Sequence, residues 1–352
     1  MGNIGLRVKH LMVKVMAVLQ RKKTAYTAVG VLLLVQIMIL GSFLICSNGE
    51  LYWQDDTSGY TIPAQTFLEQ GKMLVDEAHP MIFRTPGYPL FLAAVYAAGV
   101  GDTATAVIQC ILAAGVSLIL YHGAALLTGK RGAGILCMLL YTLEFSHAVF
   151  AICILPDIVF GFLIVLSVWC VIYGIDKKRS VFGCLGAVCI NLALLVKPTL
   201  MYWNILLCLL LAAGALLKKF EWKPCACYLL AFVCLFGGWS LRNYRETGYF
   251  LFSNIRYVQF FRWDGPELKV RVEGISGEEA LGQFREELRN RYGIPYSDAD
   301  LWDMDVAAKE KEIGNEYVSS HMAGYFMMNV EGLLHLLFRA DGKYFESVFH
   351  SG

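Results

Sequence analysis

The sequence predicts an all-α protein that crosses a membrane about seven or eight times. Hydrophobic residues make up 57% of the 352 residues and charged residues only 17%, and the mean hydropathy is +0.53. A soluble domain would be about half apolar and about a quarter charged. The apolar residues also lie in long runs, as membrane-spanning helices require. The net charge of +1 gives no indication of a nucleic-acid partner.

A bilayer crossing needs about twenty apolar residues. Stretches of about this length lie at 27–46, 104–127, 133–151, 156–175, 181–196, 200–217 and 224–241. A weaker stretch at 319–338 is interpreted equally well as a last crossing or as a helix on the membrane surface. Most of the eleven cysteines lie inside apolar runs, where cysteine behaves as a small apolar residue, so no disulfide framework is expected.

Basic residues predict how the helices are oriented. Residues 1–26 contain six lysines and arginines and no acidic residue, which indicates a cytoplasmic N-terminus and an uncleaved signal anchor. Later basic clusters at 129–131, 176–179 and 218–223 fall on the same side only if residues 86–100 do not cross. That stretch is short and contains two prolines, so we expect an interfacial or re-entrant helix.

This topology divides the chain into a series of segments. They are a cytoplasmic basic N-terminus at 1–26, a first transmembrane helix at 27–46, a long outward loop with interfacial helices at 47–103, a transmembrane bundle at 104–242, a small outward helical segment at 243–318, and a possible last membrane helix with its tail at 319–352. We expect an integral protein of the bacterial plasma membrane whose functional face is extracytoplasmic.

Two adjacent carboxylates, Asp55 and Asp56, follow the first apolar segment. Aspartate is common at helix N-caps and in solvated loops, which is the ordinary explanation. However, Asp56 precedes Tyr60 by four residues and Ala64 by eight, a spacing that places all three on one helical face. A carboxylate at a low-dielectric boundary gains basicity, so Asp56 is a candidate general base.

An Arg–Thr–Pro–Gly–Tyr–Pro turn begins at Arg84. Its two prolines and Gly87 predict a rigid turn that holds Arg84 and Tyr88 in place. Arginine and tyrosine are also common at the level of lipid headgroups, so simple anchoring is an equal alternative.

Further charged residues are expected at the outer surface. Asp157 begins one apolar run and Lys197 separates two others, while Arg242, Asn243 and Arg245 follow the last strong run. Helix capping and snorkelling are the ordinary explanations. Cations on the outer side nonetheless depart from the positive-inside pattern. Together with Arg84 they indicate a bound anion, such as a lipid phosphate.

The motifs DDTSGYTIPA, FRTPGYPLFLA, LPDIVF, LLVKPT and GGWSLRNYRETGYF occur in this order over residues 50–255. In this pattern the chain resembles the C-type superfamily of integral-membrane glycosyltransferases, which includes the protein O-mannosyltransferases and the aminoarabinose transferases of lipid A. The resemblance implies a helical membrane fold with a catalytic first outward loop. It also implies a polyprenyl-phosphate-linked sugar as donor, and a lipid, glycan or protein as acceptor.

The resemblance also implies roles for individual residues. Asp56 looks like the catalytic acid of the first loop, with Asp55 as its less favoured neighbour, and Asp157 resembles a second-loop acid that orients the acceptor or a metal. Residues similar to donor-phosphate contacts are Arg84, Lys197 and Arg242. Other substrate contacts are expected at Tyr60, Tyr88, Asn243 and Arg245. A divalent cation, Mg²⁺ or Mn²⁺, stays an open question, with Asp56 and Asp157 as its candidate ligands.

The expected reaction is a single inverting displacement on the extracytoplasmic face. A transporter or flippase of an anionic lipid or sugar is the alternative from another class, although it predicts paired halves and no repeat is visible in the sequence. The chain is shorter than typical members of the superfamily. A non-catalytic subunit is therefore a third interpretation.

Overall fold

The structure is a computed structural model that describes residues 18–297 and 301–338. The predicted all-helical class is confirmed, because the described residues form helices joined by turns and contain no strand. Most of the basic N-terminal segment and the C-terminal tail lie outside the described residues. The chain divides into two compact units, one made of residues 1–71 and 86–237 and the other of residues 72–85 and 238–352.

The first unit contains the helices that begin before residue 233. They are α1 (Lys22–Cys46), α2 (Ser58–Gln70), α3 (Gly87–Ala97), α4 (Asp102–Thr128), α5 (Arg131–Leu143), α6 (Ser146–Ile152), α7 (Asp157–Lys177), α8 (Ser180–Val196), α9 (Met201–Leu216) and α10 (Trp222–Phe232). The helices of the second unit are α11 (Gly238–Thr247), α12 (Ile255–Gln259), α13 (Gly265–Glu273), α14 (Gly277–Tyr292), α15 (Met304–Ser320) and α16 (Met322–Phe338).

Among the described residues, five helical segments are long and apolar enough to cross a membrane, and α5 with α6 makes a sixth if this bent pair is one span. The five are Lys22–Cys46, Asp102–Thr128, Asp157–Lys177, Pro198–Leu216 and Trp222–Thr247. This number is below the expected seven or eight for a physical reason. Helix α8 has only 17 residues, and the apolar run at 133–151 bends by 62° between α5 and α6.

Helix α3 in the first long loop has 11 residues, which at about 1.5 Å per residue is roughly half the thickness of the hydrocarbon core. It packs against α2 and α8. Its first residue, Gly87, lies so close to α8 that an added Cβ would be 2.6 Å from the backbone carbon of Leu195. Glycine is therefore needed at this position so that the two helices can approach.

The core of the first unit lies beneath these loop helices. Helix α4 packs on α5 and α7, and α8 packs on α7 and α10. A cluster of buried side chains joins α2, α3, α7 and α8; its members are Tyr60, Ala64, Tyr88, Leu92, Ala93, Ile154, Val159 and Val196. Many large apolar side chains on the long helices are exposed, as expected for surfaces that face lipid.

The second unit has a core of its own. Helix α15 begins after Asp303, whose carboxylate accepts hydrogen bonds from the first amides of the helix, and it packs on α12 and α14. Arg262 and Glu310 form a buried bidentate ion pair, with nitrogen–oxygen distances of 2.9 and 2.7 Å. Helix α16 packs on α13 and, at 17 residues, is not among the helices that meet the length and composition of a span.

Candidate functional site

The two adjacent carboxylates lie on a turn directly before α2. Asp55 and Asp56 are both exposed, and α2 begins two residues later at Ser58. The backbone carbonyl of Asp56 accepts a hydrogen bond from the amide of Gly59 at 3.2 Å. Asp56 therefore stands one residue before the N-cap, Thr57, with its carboxylate on an accessible surface.

Hydrogen bonds join this turn to the segment that precedes α7. The amide of Ile154 donates to the carbonyl of Tyr52 at 2.9 Å, and the hydroxyl of Thr57 donates to the carbonyl of Ile154 at 3.3 Å. Segments about a hundred residues apart are thus joined by one backbone–backbone hydrogen bond and by one from the Thr57 hydroxyl. The aspartate pair and Asp157 consequently lie on two segments of the first unit that are bonded to each other.

Asp157 is the first residue of α7, and it forms an ion pair with Lys197. The Lys197 Nζ donates to the Asp157 Oδ1 at 2.7 Å, and the two side chains are 27% and 34% exposed. Lys197 directly follows α8, so the ion pair joins the start of α7 to the end of α8. Within this partly buried pair each charge offsets the other. Because the Lys197 side chain is still 27% exposed, an added anion could also reach its ammonium group.

The two tyrosines that were expected to contact substrate lie in the core instead. Tyr60 and Tyr88 are 4% and 0% exposed, and their rings meet edge to face at 5.3 Å. The Tyr88 hydroxyl donates to the Gln109 Oε1 at 2.8 Å, and the Gln109 amide donates to the carbonyls of Ala151 and Cys153. These side chains fix the helices around the aspartate turn.

In the second unit, Arg242 contacts protein carbonyls. Its Nη1 donates to the carbonyl of Met81 at 2.7 Å and its Nη2 donates to the carbonyl of Met73 at 2.9 Å. Asn243 is fully buried and donates to the carbonyl of Leu251, whereas Arg245 is exposed. Arg242 therefore holds together the two arms of the segment that contains residues 72–85.

The segment 72–85 carries Arg84, which is partly buried and lies over the ring of Phe83 at 4.8 Å. A turn at Asp76 closes the segment: the backbone amides of Ala78 and His79 donate to the Asp76 carboxylate, which also contacts the His79 ring. These hydrogen bonds lower the pKa of Asp76. Further hydrogen bonds run from Ser253 to the carbonyl of Phe83 and from Asn254 to the carbonyl of Ile82.

Several polar residues that matter here were missed in the sequence. Gln109 and Thr57 connect the core to the loop, and Gln36, Glu144 and His147 form a second polar cluster in the first unit. The available signal was a polar side chain inside an otherwise apolar run, which is costly unless it has a partner or a function.

The candidate metal ligands do not form a metal site. In the part of the chain that the structure describes, no group of three or more His, Cys, Asp or Glu side chains is arranged to hold an ion. Asp157 is instead paired with Lys197.

The long apolar helices define an integral membrane protein. Residues 70–241, just under half of the chain, match the family model described as dolichyl-phosphate-mannose-protein mannosyltransferase, a family of the C-type superfamily. The resemblance found in the motifs is thereby confirmed for this segment. The matched region includes Arg84, Asp157 and Lys197 but neither the aspartate pair nor Arg242. Comparison with the curated proteins and with the solved structures gave no match.

Proposed function

We propose that the protein is a membrane glycosyltransferase that moves a sugar from a polyprenyl-phosphate-linked donor to an acceptor on the extracytoplasmic face. The family match supports the donor class, because the family's description names dolichyl-phosphate-mannose, which is a polyprenyl-phosphate-linked sugar. The observation that carries the proposal is the bonded pair of segments that places Asp56 and the Asp157–Lys197 ion pair in one unit.

The proposed reaction is a single inverting displacement. The acceptor oxygen attacks the anomeric carbon, its proton passes to the Asp56 carboxylate, and the bond between the anomeric carbon and the phosphate oxygen breaks. The polyprenyl phosphate leaves with the bonding electrons. A positioned general base typically contributes about 10²–10⁴-fold to such a step.

Negative charge grows on the departing phosphate, and prepositioned cations stabilise it. Lys197 is proposed for this role because its ammonium is partly exposed and held at 2.7 Å from Asp157, so its position is set before the donor binds. Arg84 is proposed as a second phosphate contact on the basis of its motif. Arg242 is proposed as a positioning residue, because its guanidinium is bonded to the carbonyls of Met73 and Met81.

The test is transfer from a polyprenyl-phosphate sugar by the purified full-length protein, beginning with the mannosyl donor that the family name suggests. Asp56→Asn should lower kcat by about 10²–10⁴-fold with little change in KM for the donor. Asp55→Asn is the matched control, because this carboxylate is its exposed neighbour on the same turn. Wild-type turnover by Asp56→Asn would remove this residue from the role of base.

A further inference from the structure

A cavity of about 270 Å³ lies in the first unit, and Asp157 at the start of α7 is part of its lining. It is lined by α4, by the bend between α5 and α6, and by the first three turns of α7. Apolar side chains that form its walls include Val116, Phe150, Phe162 and Val165. Its polar lining residues are Tyr141, Glu144, Ser146, His147 and Asp157. The volume is slightly below the usual range for a small-molecule pocket, about 300–1,000 Å³, so it suits a head group and the first part of a chain.

The bend is stabilised by its own side chains. The Glu144 carboxylate accepts hydrogen bonds from the amides of Ser146 at 2.9 Å and His147 at 3.1 Å, which satisfies amides that the break in the helix leaves without partners. An ionisable residue inside an apolar run therefore stabilises this bend. In a membrane bundle such residues are expensive and usually functional.

His147 is held from three sides. It is 6% exposed, its ring stacks on Tyr141 at 4.4 Å, and its Nδ1 contacts the carbonyl of Glu144. The amide Nε2 of Gln36, a fully buried residue of α1, lies 3.4 Å from the His147 Nε2. The imidazole therefore connects the bend to the first helix, while the Glu144 carboxylate is held by the amides of Ser146 and His147.

The charges of the lining select the kind of ligand. Of the described residues that line the cavity, Glu144 and Asp157 carry carboxylates and none is a lysine or arginine. Lys197 offsets only the charge of Asp157, to which it is bonded. A phosphate would be repelled here, whereas a hydroxyl or an ammonium group would donate hydrogen bonds to the carboxylates. The apolar walls favour an alkyl chain behind that head group.

We propose that this cavity binds the acceptor, an amphiphile whose hydroxyl or amino head lies against Glu144 and Asp157 and whose alkyl chain lies along α7. This inference rests on the proposed function, because it names the class of acceptor for the same transfer. Glu144 and Asp157 contact the acceptor head.

Binding can be tested without turnover by a thiol placed in the cavity. Gly161 lines the cavity, and a Cβ added there would meet no atom within 4 Å, so Gly161→Cys is accommodated. The full-length variant, reconstituted in phosphatidylcholine nanodiscs, is labelled with a maleimide in the presence of dodecylamine, dodecanol or dodecyl phosphate. Peptide mass spectrometry distinguishes labelling at position 161 from labelling of the native cysteines. Val165→Cys, also in the lining, is the second reporter if the first does not fold.

Dodecylamine and dodecanol should slow labelling at position 161 by about fivefold or more, a difference of about 1 kcal/mol in binding, and dodecyl phosphate should not. Glu144→Gln should abolish protection by dodecylamine, because the amide still accepts hydrogen bonds from the helix amides but carries no charge. Glu69→Gln, an exposed glutamate of α2, is the matched control and should keep full protection. Protection by dodecyl phosphate that equals or exceeds that by the amine would overturn the proposal, and so would the absence of protection by any probe.

The outcome does not depend on catalysis. Protection without any sugar transfer would leave the binding site in place and count against the proposed function. Transfer to a soluble acceptor with no protection by the amphiphiles would leave the proposed function in place and overturn the inference.

Discussion

Replacement of Arg242 by glutamine should loosen the segment that carries Arg84. The guanidinium joins the carbonyls of Met73 and Met81 at 2.9 and 2.7 Å, and the amide of Met81 donates to the carbonyl of Met73 at 3.0 Å. Glutamine is too short to reach both arms. The Met81 carbonyl would then lose the hydrogen bond that the Arg242 guanidinium donates to it.

The size of the effect follows from these contacts. A hydrogen bond from a charged group contributes roughly 1.5–3 kcal/mol, and two such bonds to the segment are lost. The remaining hydrogen bonds from Ser253 and Asn254, and the burial of Ile82, keep the segment folded. We therefore expect a local opening that becomes easier by about 3–6 kcal/mol rather than global unfolding, which corresponds to roughly 150- to 25,000-fold faster amide exchange.

Hydrogen exchange of the purified full-length protein measures this directly at the amides of Met81 and Asn254. Arg242→Lys should lie between wild type and Arg242→Gln, because an ammonium is a point donor that cannot bridge two carbonyls as a guanidinium does. Arg245→Gln removes an exposed arginine one turn away and should leave the exchange unchanged. Exchange within threefold of wild type in Arg242→Gln would refute the reasoning.

The same variant separates positioning from direct contact with the phosphate. If Arg242 acts through Arg84, transfer by the double variant Arg84→Gln/Arg242→Gln should be no slower than transfer by Arg84→Gln alone. If the double variant instead loses as much transition-state stabilisation as the two single variants together, Arg242 contacts the donor itself.

Three further predictions concern stability. Gly87→Ala should strongly reduce the yield of folded protein, because its Cβ would overlap the backbone of α8, whereas Gly41→Ala, with no atom within 4 Å of its Cβ, should express normally in a fluorescence size-exclusion assay. Arg262→Gln should destabilise the second unit by about 3–5 kcal/mol, and Arg262→Met with Glu310→Leu by much less, as thermal unfolding would show; equal losses would contradict this. The pKa of Asp76 is lowered, so the stabilisation that its carboxylate contributes is complete above the ordinary aspartate pKa of about 4 and is lost as the pH falls through the lower folded-state pKa. Asp76→Asn should therefore lower the amide protection factors of residues 75–81 at pH 7. Acidification should lower the protection factors of the wild type but change those of Asp76→Asn little.

Run length and local charge were enough to predict the helical membrane class. Apolar stretches of about twenty residues became the long helices, since burial of backbone polar groups in lipid leaves a helix as the available structure for a single segment. The short helix α3 was also predictable, because Pro86 and Pro89 limit how the apolar run can begin. The bend at Glu144 was not predicted, although Glu144, Ser146 and His147 interrupt the apolar run there.

The motifs likewise determined which residues deserved attention, but not what those residues contact. The sequence alone identified the aspartate pair, the Arg84 turn and the separate cations, and it supported the resemblance that the family match confirms for residues 70–241. Only the tertiary structure showed that Lys197 pairs with Asp157 and that Arg242 bonds to carbonyls 161 and 169 residues earlier in the chain. The reason is physical: helix formation depends on neighbouring residues, whereas the partner of a charge depends on how distant segments pack.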